Sequence, residues 1–361
     1  MSTLTFTHHA ASPTPDEQRE AVLAHPGFGV RFTDHMVTAT WTPQDGWHDA
    51  ALRPYAPLSL DPAAAVLHYA QAIFEGLKAY RHDDGSVWAF RPEANAERFQ
   101  ASARRLALPV LDAGDFVAAL DALVTADRSW VPAAAETSLY LRPFMFASEA
   151  FLGVRPAHEV TFCLIASPAG PYFATGVAGV SIWVSTDYTR AAPGGTGAAK
   201  CAGNYAASLL AMQQAADHGC QQVAFLDAVE RTWVEELGGM NLFFVHDDGT
   251  LVTPALTGTI LEGITRSSIL TLAAEQGLTV TERAVSLDEW RDGARSGEIR
   301  EVFACGTAAV VTPVSRLAWD GGEVRIGDGT PGPVTLQIRG SLVDLQYGRV
   351  VDRHGWMHQI C

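Results

Sequence analysis

The spacing of apolar and polar positions changes period repeatedly along the 361-residue chain. Gly29–Thr42, rich in Val, Thr, Phe and Trp, predicts a strand. Asp61–Ile73 has helical spacing, with Asp61 placed to cap it ahead of Pro62. Leu77–Arg81 and Ser86–Phe90 flank His82-Asp83-Asp84-Gly85, a hairpin signal. Asn95–Leu108 and Asp115–Trp130 read as amphipathic helices, and Ser138–Ala147 and Val160–Ala166 as strands. The Pro- and Gly-bearing stretch Ser167–Gly176 breaks the periodicity and predicts a domain boundary. Residues 1–168 then form one domain, 169–177 the connecting loop and 178–361 a second domain.

The second half opens with a strand at Val180–Thr186. Short strands follow at Gln222–Asp227, Thr232–Leu237, Met240–His246 and Leu251–Thr253. A helix at Thr265–Gln276 is stopped by Gly277. Strands near Leu278–Ala284 and Glu301–Cys305 bracket a helix near Leu287–Ala294. Both halves mix helices with hairpin-linked strands, so the fold class is α+β rather than doubly wound.

Composition narrows the function. Hydrophobic residues make up 48% of the chain, enough for a large core. The net charge of −15 repels phosphate backbones and anionic bilayers, which argues against nucleic-acid and membrane binding. Five scattered cysteines with no C-x-x-C pair suit a reducing compartment and argue against a zinc site. The start, Met-Ser-Thr-Leu-Thr-Phe-Thr, lacks the pattern of a signal peptide, and a cytoplasmic location is expected. The 12 histidines show no metal-ligand spacing, and His68 reads as a satisfied core residue.

Four stretches could carry chemistry. Gly194-Gly195-Thr196-Gly197-Ala198-Ala199-Lys200-Cys201 sets three glycines before a lysine. A phosphate-binding P-loop needs Gly before that lysine and Ser or Thr after it, and Ala199 and Cys201 occupy those places. Among small apolar neighbours an ammonium is poorly solvated, which favours the neutral amine that forms Schiff bases. A lysine on an exposed loop fits the stretch equally well. Thr257–Arg266 brings a glycine-bearing turn to a helix start, a place for phosphate, or a helix simply capped by Thr265. In Thr232–Asn241, Glu235 and Glu236 point to opposite faces, so one can reach water while the other needs a cationic partner. Spacing does not say which. On Ser138–Pro143, Tyr140 and Arg142 share a face, and the arginine fork suits a carboxylate. A solvated strand face is the plainer reading.

Taken together, these stretches resemble the branched-chain amino-acid aminotransferases, pyridoxal 5'-phosphate (PLP) enzymes of fold type IV. The resemblance rests on Phe74-Glu75-Gly76-Leu77-Lys78-Ala79-Tyr80, Phe90-Arg91-Pro92 with Asn95–Phe99, Ser138–Pro143, the Lys200 loop, and Glu236–Asn241 with Leu261–Arg266 and Gly306-Thr307-Ala308-Ala309. It implies a smaller N-terminal α/β domain and a larger C-terminal pseudo-barrel domain that binds PLP. It assigns Lys200 as the catalytic residue that joins the cofactor and shuttles the proton. Glu236 would hold the pyridine nitrogen, Tyr205 the phenolic oxygen and Arg98 the phosphate. Leu261, Gly263, Ile264, Thr265 and Thr307 would complete the phosphate cradle. Phe28, Phe74 and Tyr140 would wall the side-chain pocket, with Tyr69 from the neighbouring subunit of a homodimer. Gly239, Thr307 and Ala308 would border the α-carboxylate, and Arg142 would serve the second carboxylate of glutamate or 2-oxoglutarate. The implied reaction is reversible ping-pong transfer of the amino group of leucine, isoleucine or valine to 2-oxoglutarate. Ser167–Gly176 would be a lid.

Two departures from the family pattern stand out. Ala309 and Thr312 occupy the places of a C-x-x-C pair found in some animal members, so thiol control is not expected. Gly239 stands where some members have threonine. A D-amino-acid aminotransferase, an aminodeoxychorismate lyase and a non-catalytic PLP-binding protein are the competing readings. Tyr140-x-Arg142 and the long N-terminal domain argue against the first two, and Lys200, Tyr205 and Glu236 together argue against the third.

Overall fold

Ser138–Ala147 is the strand around which the first part of the chain is organised. In the computed structural model, which describes residues 4–170 and 177–361, it is the longest contact line of a nine-stranded sheet. It pairs antiparallel with Val160–Ala169 on one side. On the other it pairs with Leu77–Arg81 and with the short strand Ala72–Phe74. Residues of both its faces are buried, which explains why its near-continuous apolar run lacks the alternation of a solvated strand. The described residues form two units: 4–170 with 199–202 and 345–361, and 177–198 with 203–344.

In the first unit, helices Pro92–Arg105 and Ala113–Ala126 lie within the same apolar core as the sheet. Phe99 meets Phe116 and Phe162 at ring-centroid distances of 5.4 and 6.0 Å. Asp112 caps the second helix by accepting from Gly114 N at 2.7 Å. The helix expected over Asp61–Ile73 is only Ala65–Tyr69. Ala70, at φ 50°, turns the chain out of it, and Ala72–Phe74 gains more by pairing with the central strand. Strand structure in Gly29–Thr42 begins only at His35. His68 is exposed, not a core residue, because that helix lies at the surface. The last strand, Met357–Gln359, adds to Val87–Phe90 and closes that edge.

The second unit holds another nine-stranded sheet. Val180–Ser185 runs parallel to both Gln222–Leu226 and Val310–Trp319. Asn241–His246, Leu251–Thr253, Ile299–Gly306 and Val310–Trp319 add antiparallel ladders. Trp290 is fully buried and meets Phe244 edge-on at 5.1 Å. Its helix, Leu287–Ser296, is capped by Ser286, which accepts from Glu289 N at 3.0 Å, and ends at Gly297 in the left-handed conformation. The helix Ala202–Asp217 starts at the end of the segment 199–202. Helices and sheets are mixed in both units, as an α+β fold requires. The Pro171–Gly176 portion of the expected lid lies outside the described residues.

Candidate active site

In the first unit Lys200, Phe74, Tyr140 and Arg142 lie near residues 140–144 of the central strand. Lys200 is held at its backbone: its N–H donates to Ser102 Oγ at 2.9 Å, and its C=O accepts from Phe74 N at 3.0 Å. A bridge between Ile73 and Cys201 continues that attachment. The lysine side chain is half-buried, and Nζ stands 5.0 Å from the centroid of the Phe74 ring. The Arg142 guanidinium covers the same ring at 4.8 Å. Arg142 also donates to Tyr140 Oη at 3.0 Å, and Phe28 meets Tyr140 edge-on at 5.0 Å. Arg142 Nε is buried with no partner, so this guanidinium retains a donor for an incoming acceptor. Tyr140 is 9% exposed, which removes the reading of a solvated strand face.

Gly76 makes the Tyr140 position possible. A Cβ on Gly76 would fall 2.0 Å from Tyr140 Oη. Next to it, Glu75 is fully buried and binds Arg98 through two hydrogen bonds, Nε to Oε1 at 2.7 Å and Nη2 to Oε2 at 2.8 Å. Tyr69 is 42% exposed and donates to Leu152 O at 2.5 Å.

The second unit holds a buried carboxylate of its own. Glu236 is 1% exposed, and its Oε1 forms an ion pair with Arg190 Nη1 at 2.7 Å and accepts from Leu261 N at 2.9 Å. Arg190 donates further to Thr259 O at 2.9 Å and Gly197 O at 3.2 Å. Asn241 Nδ2 donates to Leu261 O at 3.0 Å. One buried arginine and two side chains from strands successive in the chain, Glu236 and Asn241, thus fix the Thr257–Leu261 turn. The following helix, Ile264–Glu275, begins at Gly263 with no side-chain cap. Thr265 lies inside its first turn and is not its cap. A Cβ on Gly263 would fall 2.0 Å from Asn241 Oδ1, so the chain approaches there as only glycine allows. Tyr205 lies on Ala202–Asp217, and its ring would be 3.5 Å from a Cβ on Gly239. Thr307 and Ala308 lie in the turn joining Ile299–Gly306 to Val310–Trp319.

Glu235 departs from the expectation that one of the two glutamates reaches water. It is 5% exposed, and Thr259 Oγ1 donates to its Oε1. Burial pushes its carboxyl up, against the Thr259 hydrogen bond and the Arg190 charge. Arg190, Glu75 and Asn95 were not singled out by sequence reasoning as site residues, whereas Arg98 was, for the phosphate. Glu75 stood inside a recognised segment. Arg190 carried no signal, because Glu236 and Thr259, which it meets, are at distant positions in the chain.

A family model described as amino-transferase class IV matches residues 72–317. A probable branched-chain-amino-acid aminotransferase of Streptomyces coelicolor is 59% identical over 97% of this chain and 97% of its own length. The solved branched-chain amino acid aminotransferase of Escherichia coli superposes with a TM-score of 0.75 at 30% identity, covering 90% of this chain and 99% of that one. The branched-chain amino acid aminotransferase from Thermobaculum terrenum, solved in its PLP form, gives 0.72 at 26% identity over 90% of this chain and 98% of that one.

Proposed function

The chain belongs to the class IV aminotransferases, within them to the branched-chain-amino-acid aminotransferases, and from that premise we propose that it moves the amino group of leucine, isoleucine or valine to 2-oxoglutarate. One observation supports the reading above the others: the Phe74 ring carries the Lys200 amine on one contact and the Arg142 guanidinium on another, beside Tyr140. A reactive amine, an apolar wall and a free arginine donor are the groups such a reaction needs in one place.

The residues present fit PLP. A lysine amine, a buried carboxylate and a helix start entered through a glycine match its aldehyde, pyridine nitrogen and phosphate. When bound, PLP supplies an electron sink for the substrate α-carbon. Lys200 is the residue that joins the cofactor and carries the proton at Cα. Glu236 holds a proton on the pyridine nitrogen, with Arg190 orienting the carboxylate. Tyr205 donates to the phenolic oxygen. Arg98, the backbone of Leu261, Gly263, Ile264 and Thr265, and the Thr307 hydroxyl hold the phosphate. Phe28, Phe74 and Tyr140 exclude water from a branched side chain. Arg142 takes the distal carboxylate of glutamate, and Gly239 with the Thr307–Ala308 backbone borders the α-carboxylate. One pocket can accept both substrates because each uses a different part of it. The working form is a homodimer in the cytoplasm, with Tyr69 entering the partner's site. No described helix is long and apolar enough to cross a membrane.

Reduction of the purified protein with borohydride, followed by peptide mapping, tests the assignment. The expected adduct lies on Lys200, and L-leucine with 2-oxoglutarate yields glutamate while D-alanine does not. An adduct elsewhere, or turnover of D-alanine in preference to L-leucine, would overturn it.

A further inference from the structure

The buried acid next to Phe74 has no assigned role in the reaction, yet it is among the most heavily bonded groups in the first unit. Glu75 is 0% exposed. Its Oε1 accepts from Arg98 Nε at 2.7 Å. Its Oε2 accepts from Arg98 Nη2 at 2.8 Å, Asn95 Nδ2 at 2.7 Å and Gly76 N at 3.2 Å. Arg98 and Asn95 lie on Pro92–Arg105 one turn apart, so a single carboxylate meets both. Burial alone would push the Glu75 carboxyl up. The charge and hydrogen bonds of Arg98, the Lys200 charge and the Asn95 hydrogen bond outweigh it and hold the carboxyl below the usual range.

A carboxylate beside a phosphate-binding arginine is an odd choice on charge alone, since it weakens the field that attracts an anion. It is a sensible choice for geometry. Glu75 occupies the Nε–Nη2 edge of the Arg98 fork, and this fixes the plane and direction of the rest of the guanidinium. We propose that Glu75 is a positioning residue that orients Arg98 toward the phosphate of the cofactor, with Asn95 locking the carboxylate. The proposal rests on the assignment of Arg98 to the phosphate made above.

The sign of the effect separates geometry from charge. If Glu75 acted through charge alone, Glu75→Gln would tighten binding of a phosphorylated ligand. If it positions Arg98, the same change weakens it. The measurement is the dissociation constant of the full-length apoenzyme for PLP and for pyridoxal, which lacks the phosphate, both read by absorbance titration. Glu75→Gln is expected to weaken PLP by about tenfold or more while moving pyridoxal by less than about threefold, the scale typical of a lost orienting partner. Asn95→Ala, a milder change at the same carboxylate, is expected to shift the ratio in the same direction by less, and serves if Glu75→Gln does not fold. Equal losses for both ligands, or tighter PLP binding, would overturn the proposal. Arg98→Gln keeps the two questions apart. If it leaves the PLP-to-pyridoxal ratio unchanged, the phosphate assignment itself fails. If it changes the ratio and neither Glu75→Gln nor Asn95→Ala does, only the positioning role fails.

Discussion

Arg190 and Glu236 form an ion pair at 2.7 Å in which each side chain is 1% exposed. Arg190 also ties Thr259 and Gly197 by their carbonyls. Removing either partner of such a pair leaves an uncompensated buried charge. Arg190→Met is therefore expected to destabilise the protein by about 3 kcal/mol or more, read by urea unfolding of the apoenzyme at neutral pH. A loss under about 1 kcal/mol would mean that the pair is not held as described.

Two glycines should respond in opposite ways to the same substitution. Gly76→Ala places a methyl group 2.0 Å from Tyr140 Oη, so the tyrosine must leave its contact with Arg142. The expected cost is about 1–3 kcal/mol of stability together with a raised KM for leucine. Gly340 lies inside the helix Pro333–Gln346 with open space at its Cβ position. Gly340→Ala is expected to stabilise by about 0.5–1 kcal/mol and to leave KM unchanged. A thermal-unfolding series with steady-state kinetics checks both.

Asp227 carries a pH signature. Although burial acts to raise it, hydrogen bonds from the N–H groups of Trp233, Glu230, Thr232 and Val229 lower its carboxyl to about 2. A group lowered on folding stabilises above its unfolded value of about 3.8 and loses that contribution as pH falls towards 2. Asp227→Asn should therefore be less stable than wild type at pH 7, with the difference shrinking between about pH 4 and pH 2. A difference independent of pH would refute the loop contacts.

His358 gives the opposite slope. Its hydrogen bond to Asp121 at 2.9 Å raises it above its ordinary value, against burial and together with the charges of Asp121 and Glu93. Stability from a raised histidine is full below its unfolded value and fades as pH rises through the folded one. Asp121→Asn should cost more melting temperature at pH 5.5 than at pH 8.5. An equal or reversed loss would show that the edge strand Met357–Gln359 is not held by this pair.

Local pattern reached far into this protein. Runs of strand-forming residues bounded by turn residues located the Ser138–Ala147 and Leu251–Thr253 strands at the residues where they occur. The motif order around Phe74, Lys200, Glu236 and Thr307 carried the family, because those residues answer to chemistry that recurs at fixed chain positions. What the chain could not show locally was which side chains would be shut away from water together. Glu235 and Glu236 alternate as any strand pair does, yet both are buried, because strands and turns cover each face. Residues 72 and 73 carry helical spacing but pair as a strand, since the central sheet offered hydrogen bonds that a short surface helix did not. Arg190 met Glu236 across 46 positions and Glu75 met Arg98 across 23. Ion pairs between distant positions leave no periodic trace, and folding alone brings such charges into the low-dielectric contact that gives them their strength.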